Sequence, residues 1–558
     1  MKKSHLSVLI FFLFACLNAW SQGEKGVELF LLDYFDEAKE TFEQSASRDP
    51  DLSYYFLGEI ALRKSNSKEA AIYFEKGISA DAGAVYCRIG KTKLDLKSNP
   101  EEFKKSIKDI ANKNKKKAPV LLAAAQAYLH NNMPGEAEAM LSMARNADKA
   151  YPYIYIFEGD RLKEKGEAGE AATQYEQAIN FDPKCAVAYI KKSMVYESIS
   201  PTAAINTLVS GLEANPNNIL IGRYLARSYY KNGFYKQAIA EYEKLNRNEV
   251  LQSEDLRNYA ASLYFAEKYN EALATLTRII SNEPDHPAVN RLLMYTQDKL
   301  KNYDAVVTIG RKFFSLPADG NNVNYLASDY TVWANALIAK GQIDEAIEAY
   351  KKAVDADAAG ETLCKEIAVK LAGIDKTADA ADFYQKYIET ASNKDAFDYL
   401  QLGIYYYRTA SDFSAKTAAA EKVQTGAGGN ATALKESTVQ YVSKADAAFA
   451  KVIELAPDNY QGYYWRANAN TLLDPDLSKG LANEDYSKTI EMLVVSGDKD
   501  NQSKLIEAYR YFSIYYLYRF DANKQAGDKN KAKEYADKVL QLKPDDETSL
   551  KIVEILKK

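Results

Sequence analysis

Small apolar residues recur along this chain at a nearly constant interval. Ala137, Ala171, Ala204, Ala238, Ala272 and Ala305 stand 34, 33, 34, 34 and 33 residues apart. The series extends outward through Ala38, Ala70 and a degenerate Glu102, then through Ala346, Ala380, Ala445, Ala482 and Ala532. Twelve residues before the alanine another small residue is usual, as at Gly26, Gly58, Gly90, Ala125, Gly159, Ala226, Ala260, Ala334 and Ala368. Four residues after it comes a large one, as at Phe42, Phe74, Leu141, Tyr175, Tyr242, Leu276, Tyr350, Tyr384, Phe449 and Tyr486. Proline follows at twelve after, and Pro50, Pro183, Pro216, Pro284, Pro317, Pro457 and Pro544 place seven of the fourteen prolines in this one register.

Each period holds two amphipathic segments of helix length, with small residues where the helices would cross. A small residue lets two backbones approach, and the large residue one turn on fills the space on the same face. Proline belongs in the connection, where a missing N–H is harmless and the helix must stop. One such pair cannot bury its apolar face alone, whereas stacked neighbours can, so the pattern predicts an all-α solenoid.

Interruptions mark the irregular places. Ala380 to Ala445 is 65 residues, about one unit in excess, and the surplus falls at 409–440 with Ala418-Ala419-Ala420 and Gly426-Ala427-Gly428-Gly429. The expectation is a flexible or partly helical inserted loop between the two helices of one unit. A smaller insertion falls near Asp319-Gly320-Asn321-Asn322, and Asp498-Lys499-Asp500-Asn501 reads as a loop before the aromatic helix Tyr509 to Phe520.

The start of the chain reads as an address. Lys2 and Lys3 precede an apolar run from Leu6 to Leu17, too short to span a bilayer, and Asn18-Ala19-Trp20-Ser21 supplies small residues for a cut before Gln22. Residues 1–21 are thus expected to be a secretory signal peptide. They are followed by a repeat array over 22–395 and by C-terminal units over 396–558. Leu13-Phe14-Ala15-Cys16 approximates a lipid-attachment motif, but Phe14 is too large for it, and a lipid on Cys16 is the weaker reading. No later stretch reaches the length of a membrane helix.

Composition narrows function by exclusion. The 558 residues carry 72 Lys+Arg against 77 Asp+Glu, a net −5, which is not the basic footprint of a nucleic-acid binder. Three histidines nearly exclude a histidine-built metal site, and the cysteines left after the leader, Cys87, Cys185 and Cys364, are too few and too scattered for a disulfide framework. Gly90-Lys91-Thr92 resembles the end of a phosphate-binding loop, but Val85 stands where its first glycine is needed. No catalytic constellation emerges, so the expectation is a non-enzymatic protein without catalytic residues, cofactor or metal.

The residues Gly159, Ala171, Tyr175, Ala178 and Pro183, and again Trp333, Ala334, Ala346, Tyr350 and Ala353, resemble the tetratricopeptide repeat family over about residues 23–558. The resemblance implies a right-handed superhelical solenoid of antiparallel helix pairs. Its concave groove would be lined by first-helix residues three before, one after and about four after the small crossing residue. On this sequence those offsets nominate Arg223, Arg227 and Tyr230, then Arg257 and Tyr264, then Lys365. The arginines suit carboxylates and the tyrosines supply contact area, which points to an acidic or C-terminal peptide. The competing reading pairs these arginines with Glu254 or other nearby carboxylates.

The stretch Trp465-Arg466-Ala467-Asn468-Ala469-Asn470, followed by Asp474-Pro475-Asp476 and Gly480-Leu481-Ala482, resembles exported repeat proteins of the Bacteroidota. The function these resemblances imply is an interaction scaffold or adaptor in the periplasm or at the periplasmic face of the outer membrane, binding partner proteins or peptides. The alternative is a glycan-binding helical repeat protein of an outer-membrane uptake system, to which the 42 tyrosines would contribute stacking.

Overall fold

A computed structural model describes residues 23–95, 100–247, 251–317, 324–357, 360–422, 428–497 and 499–557. The chain is 80 % helical, and no strand occurs among the described residues. Consecutive helices pack as antiparallel pairs, for example Pro50–Arg63 with Ser67–Ala80, Pro152–Glu164 with Ala168–Phe181, and Ala327–Ala339 with Ile343–Ala356. Successive pairs stack into a solenoid within each of two compact units, Met1–Leu300 and Lys301–Lys558. The expected leader and the segment Asp319-Gly320-Asn321-Asn322 lie outside the described residues.

The packing register follows the spacing. Ala38, Ala70, Ala137, Ala171, Ala238, Ala272, Ala346, Ala380, Ala445 and Ala532 are fully buried, as are Phe42, Phe74, Tyr175, Tyr242, Tyr350, Tyr384 and Phe449 one turn later. The crossing glycines explain why these rings need a small partner. A Cβ on Gly58 would lie 2.2 Å from the Phe74 ring, and one on Gly90, in the next unit, 2.4 Å from the same ring. The Phe74 ring is therefore wedged between two first helices, a geometry that ties one unit to the next.

Two positions of the register shift by one residue. At Ala305 the buried place belongs to Val306, 34 residues after Ala272, and Gly310 takes the position one turn on. The Trp333 indole lies where a Gly310 Cβ would be, 2.3 Å away, so here the next unit supplies the large ring. At the degenerate Glu102 the buried pair is Phe103 and Ile107, which restores the apolar period. Many first-to-second helix turns place one residue in the left-handed region. Gly166, Gly233 and Gly341 take this place, and Asp33, Ser65, Asn132, Glu267 and Asp375 take it elsewhere.

The insertion at 409–440 takes the helical form of the two expected where it is described. It lengthens both helices of its unit into Ala396–Lys422 and Gly428–Leu455, 27 and 28 residues long. Alanine is the best helix former, and Ala418-Ala419-Ala420 continues the first helix where a turn was expected. Phe413 stacks on Tyr441 at 5.6 Å and Thr438 is buried, so the arm has its own apolar seam. Near the C-terminus, Lys499–Asn501 forms a 3-10 turn and Gln502–Asn523 is the aromatic helix, packed on Ala526–Leu542.

Candidate functional site

The nominated groove positions are occupied by contacts within the chain. Arg223 is 4 % exposed. Its Nε donates to Asp255 at 2.7 Å, and its Nη1 donates to both carboxylate oxygens of Glu37 at 3.1 and 3.2 Å. Its guanidinium also lies 4.6 Å from the centre of the Tyr34 ring. Burial works against its charge, but Asp255, Tyr34 and Glu37 together hold the guanidinium in its cationic form. Burial pushes the Asp255 carboxyl up, with Arg223 pulling the other way.

The other cations follow the same rule with more exposure. Arg227 meets Glu254 at 2.9 Å, and Arg257 meets Glu283 at 2.7 Å. In the second unit, Lys365 donates to the buried Asp398 at 2.8 Å and lies 4.9 Å from the Tyr387 ring centre. Arg223, Arg257 and Lys365 share one position, three before the crossing residue. Two further residues three before a small, buried crossing position repeat the arrangement. The Tyr464 hydroxyl, three before Ala467, donates to Glu507 at 2.7 Å, and Arg510, three before Ser513, pairs with Asp546. The position expected to meet a ligand thus carries a ladder of polar links from one unit to the next.

The first unit also closes on itself. The helices Ala118–His130 and Ala186–Tyr196 bury nine of thirteen and seven of eleven residues, more than the single stripe of a one-sided helix. One apolar cluster takes in residues from Leu29 to Leu225, with Ala171, Ala172, Tyr175 and Val195 in a cluster of their own. Tyr34, at the turn after the helix at 23–31, meets Tyr224 edge-on at 6.1 Å. Burial, Glu24 and Asp182 push the Glu28 carboxyl up to about 7. The interior of this unit is therefore filled by its own first helices.

Tyr230 and Tyr264 lead elsewhere. Both are half-buried, and they join Tyr235, Phe265 and Tyr269 in a run of ring contacts across two adjacent units. The structure thus brings Arg223, Arg227, Tyr230, Arg257 and Tyr264 onto neighbouring helices, with Lys365 in the other unit. Offset counting nominated Tyr230 and Tyr264 but missed Phe234, Tyr235 and Phe265. The legible signal was Phe234-Tyr235 beside a turn glycine, outside the buried register.

Reactive groups are spent on packing. Cys87, Cys185 and Cys364 are free and buried, and burial raises all three thiols, Cys185 to about 12. Lys91 of the loop-like triplet pairs with Glu75, and Gly90 is a crossing glycine. Burial holds His130 and His286 below their ordinary range. Among the described residues no cluster of ligands could hold a metal ion, and no helix is long and apolar enough to cross a membrane.

Comparison with known proteins places these features in a family context. Tetratricopeptide repeat models match residues 32–85, 330–359 and 521–546, so the chain carries tetratricopeptide repeats. No curated protein sequence matches significantly. Among solved structures, the C-terminal part of a TPR repeat-containing protein from Cytophaga hutchinsonii is 25 % identical, covering 53 % of this chain and 98 % of its own, with a TM-score of 0.33. A tetratricopeptide repeat protein from Parabacteroides merdae is 16 % identical over 44 % of this chain and 95 % of its own, with a TM-score of 0.30. YrrB, described as a TPR protein with an unusual peptide-binding site, is 20 % identical over 36 % of this chain and 97 % of its own, with a TM-score of 0.30.

Proposed function

We propose that this chain is a non-enzymatic protein–protein interaction scaffold of the bacterial cell envelope, holding partner proteins or peptides in the periplasm or at the periplasmic face of the outer membrane. The observation that carries the reading is the helix-pair register itself, kept through both units while the reactive side chains are absorbed into packing. A stack of this kind offers long side-chain walls rather than an enclosed reaction site. The signal-like segment before Gln22 supports the address, and the Trp465 to Ala482 stretch supports a source in the Bacteroidota.

An acidic partner would engage the exposed cations by exchange. A partner carboxylate would replace Glu254 at Arg227 and Glu283 at Arg257, with Tyr230 and Tyr264 giving contact area beside them. Lys365 offers a similar exchange in the second unit, against Asp398. Arg223 contributes by holding this wall together. The test is cross-linking of the full chain in an envelope fraction, followed by mass spectrometry and N-terminal sequencing. A mature chain beginning at Gln22 with a stoichiometric protein partner is expected. A chain confined to the cytosol, or one that captures only glycans, overturns the reading.

A further inference from the structure

Among the described residues of the first unit, the exposed large aromatics Phe234 and Phe265 lie at an edge, at the turns between helices. The turns at 229–236 and 264–270 lie in adjacent units, at the ends of the helices Ile219–Lys231 and Ser253–Phe265. Phe234 is 44 % exposed and Phe265 is 51 % exposed. Phe265 stacks on Tyr235 at 5.0 Å, Tyr230 and Tyr264 flank that stack, and Tyr229 meets Phe234 edge-on. These rings hold one another in place across the junction of two units. A rigid, amphipathic aromatic surface loses little freedom when a partner arrives, which is the property of interface hot spots.

The charge on the two turns of the strip is positive in excess, although Glu267 lies within them and Asp298 faces Tyr264. Its two turns carry Lys231, Lys236 and Lys268 against Glu267, in a chain whose net charge is −5. Lys231 is paired with Glu197 at 3.0 Å. Lys236 and Lys268 are exposed and form no ion pair among the described residues. Three lysines fall short of the roughly four to eight of a polybasic lipid-binding cluster, and they surround rings locked against one another rather than isolated apolar tips. The chemistry that complements this edge is apolar side chains bracketed by carboxylates.

We propose that the strip Tyr230, Phe234, Tyr235, Tyr264, Phe265 and Tyr269 is a docking edge for a protein segment whose apolar side chains are flanked by Asp or Glu. The inference rests on the scaffold reading above and moves the main contact from the groove to the turns. Partner apolar groups cover Phe234 and Phe265, and partner carboxylates reach Lys236 and Lys268. The exposed groove arginines are then peripheral.

The test uses the full chain and two fluorescent dodecapeptides with the same Phe-Leu core, one flanked by glutamates and one by lysines, read by anisotropy at low ionic strength. The glutamate peptide should bind at least about tenfold more tightly than the lysine peptide. Lys236→Glu with Lys268→Glu should reverse that preference, and Phe234→Ser with Phe265→Ser should weaken both peptides at least about tenfold. Lys115→Glu with Lys116→Glu, exposed residues of another repeat, should leave the glutamate peptide within about twofold of the unaltered chain, and Arg227→Glu with Arg257→Glu reads the groove's own share of the binding. All these positions are at least partly exposed, and circular dichroism on each variant verifies the fold. Equal affinity for the two peptides overturns the proposal, as does binding indifferent to Phe234 and Phe265. Co-sedimentation with phosphatidylglycerol vesicles that requires those two rings would reassign the edge to a lipid surface. Loss of binding only in the arginine variant would return the contact to the groove and leave the scaffold reading standing.

Discussion

Arg223 grips both carboxylate oxygens of Glu37 across 186 residues of sequence, with Tyr34 beneath its guanidinium. Five whole repeats separate the two, so the first unit is held by more than contacts between neighbours. Arg223→Glu would leave Asp255 and Glu37 facing a third negative charge in a buried place. Breaking a buried pair from one side costs about 3–5 kcal/mol, whereas an exposed pair such as Arg227 with Glu254 is worth about 0–1 kcal/mol. Urea melts of Arg223→Glu and Arg227→Glu should differ accordingly, and equal midpoints would show that the closure carries no energy.

Gly159 should reject a methyl group. Alanine is ordinarily better than glycine in a helix by about 1 kcal/mol, but a Cβ here would lie 2.5 Å from the Tyr175 ring. Overpacking costs about 1–3 kcal/mol, so Gly159→Ala should destabilise despite its propensity gain. In a cycle with Tyr175→Leu the penalty should shrink, and a coupling energy near zero would refute the wedge. Ala171→Leu and Ala272→Leu should be damaging for the same reason, whereas the exposed Lys115 and Lys116 should tolerate change.

The helical arm should be separable from the stack. Replacing residues 416–434 by a short Gly-Ser turn keeps the stack of Phe413 on Tyr441 and the buried Thr438. Helical ellipticity should fall in proportion to the residues removed, with the melting temperature within a few degrees of the intact chain. Insoluble protein would show that the arm is needed for folding.

Glu28 should give the first unit a pH dependence. Its carboxyl sits near 7 in the folded chain against an ordinary 4.5, because burial, Glu24 and Asp182 all disfavour its charge and only Lys25 opposes them. The folded state therefore holds this proton more tightly than the unfolded chain does. The associated stability is complete below about pH 4.5 and is lost as pH rises through about 7. Glu28→Gln should flatten this slope and stabilise the unit at pH 8 by an amount on the order of 1–3 kcal/mol. Parallel pH profiles for the two proteins would exclude Glu28 as the source.

Periodicity carried most of the architecture because each unit repeats the same contact between a small residue and a ring. Gly58, Gly159, Tyr175 and Tyr350 could be placed from spacing alone. Position 305 slipped because valine at 306 fills the alanine's role and Trp333 of the next unit supplies the ring, a substitution visible only in three dimensions. The insertion reads in sequence as a flexible or partly helical loop, and the helical form prevails because its alanines favour helix and Phe413 and Tyr441 seal it. The nominated groove positions fall on neighbouring helices, but the partners of their side chains were not legible. Nothing in the spacing tells Arg223 that its partners are Asp255 one unit on and Glu37 at the far end of the unit. Asp474 was noticed only as part of a motif. It proves to be a buried carboxylate accepting from the backbone N–H groups of Lys479, Gly480 and Leu481, which fixes the loop between two helices.

The link from Tyr34 and Glu37 to Arg223 and Tyr224 also sets an order of events. An open stack can nucleate anywhere and grow by neighbours, with little penalty for sequence separation. A stack whose first turn must meet its seventh helix pair carries a loop-closure cost that no local contact repays. During synthesis, Glu37 and Tyr34 emerge long before Arg223 and Tyr224 exist, so these two side chains wait for their partners until the chain has been made past residue 224. A chaperone that shields Tyr34 and Glu37 would therefore act before this link forms and find them engaged afterwards.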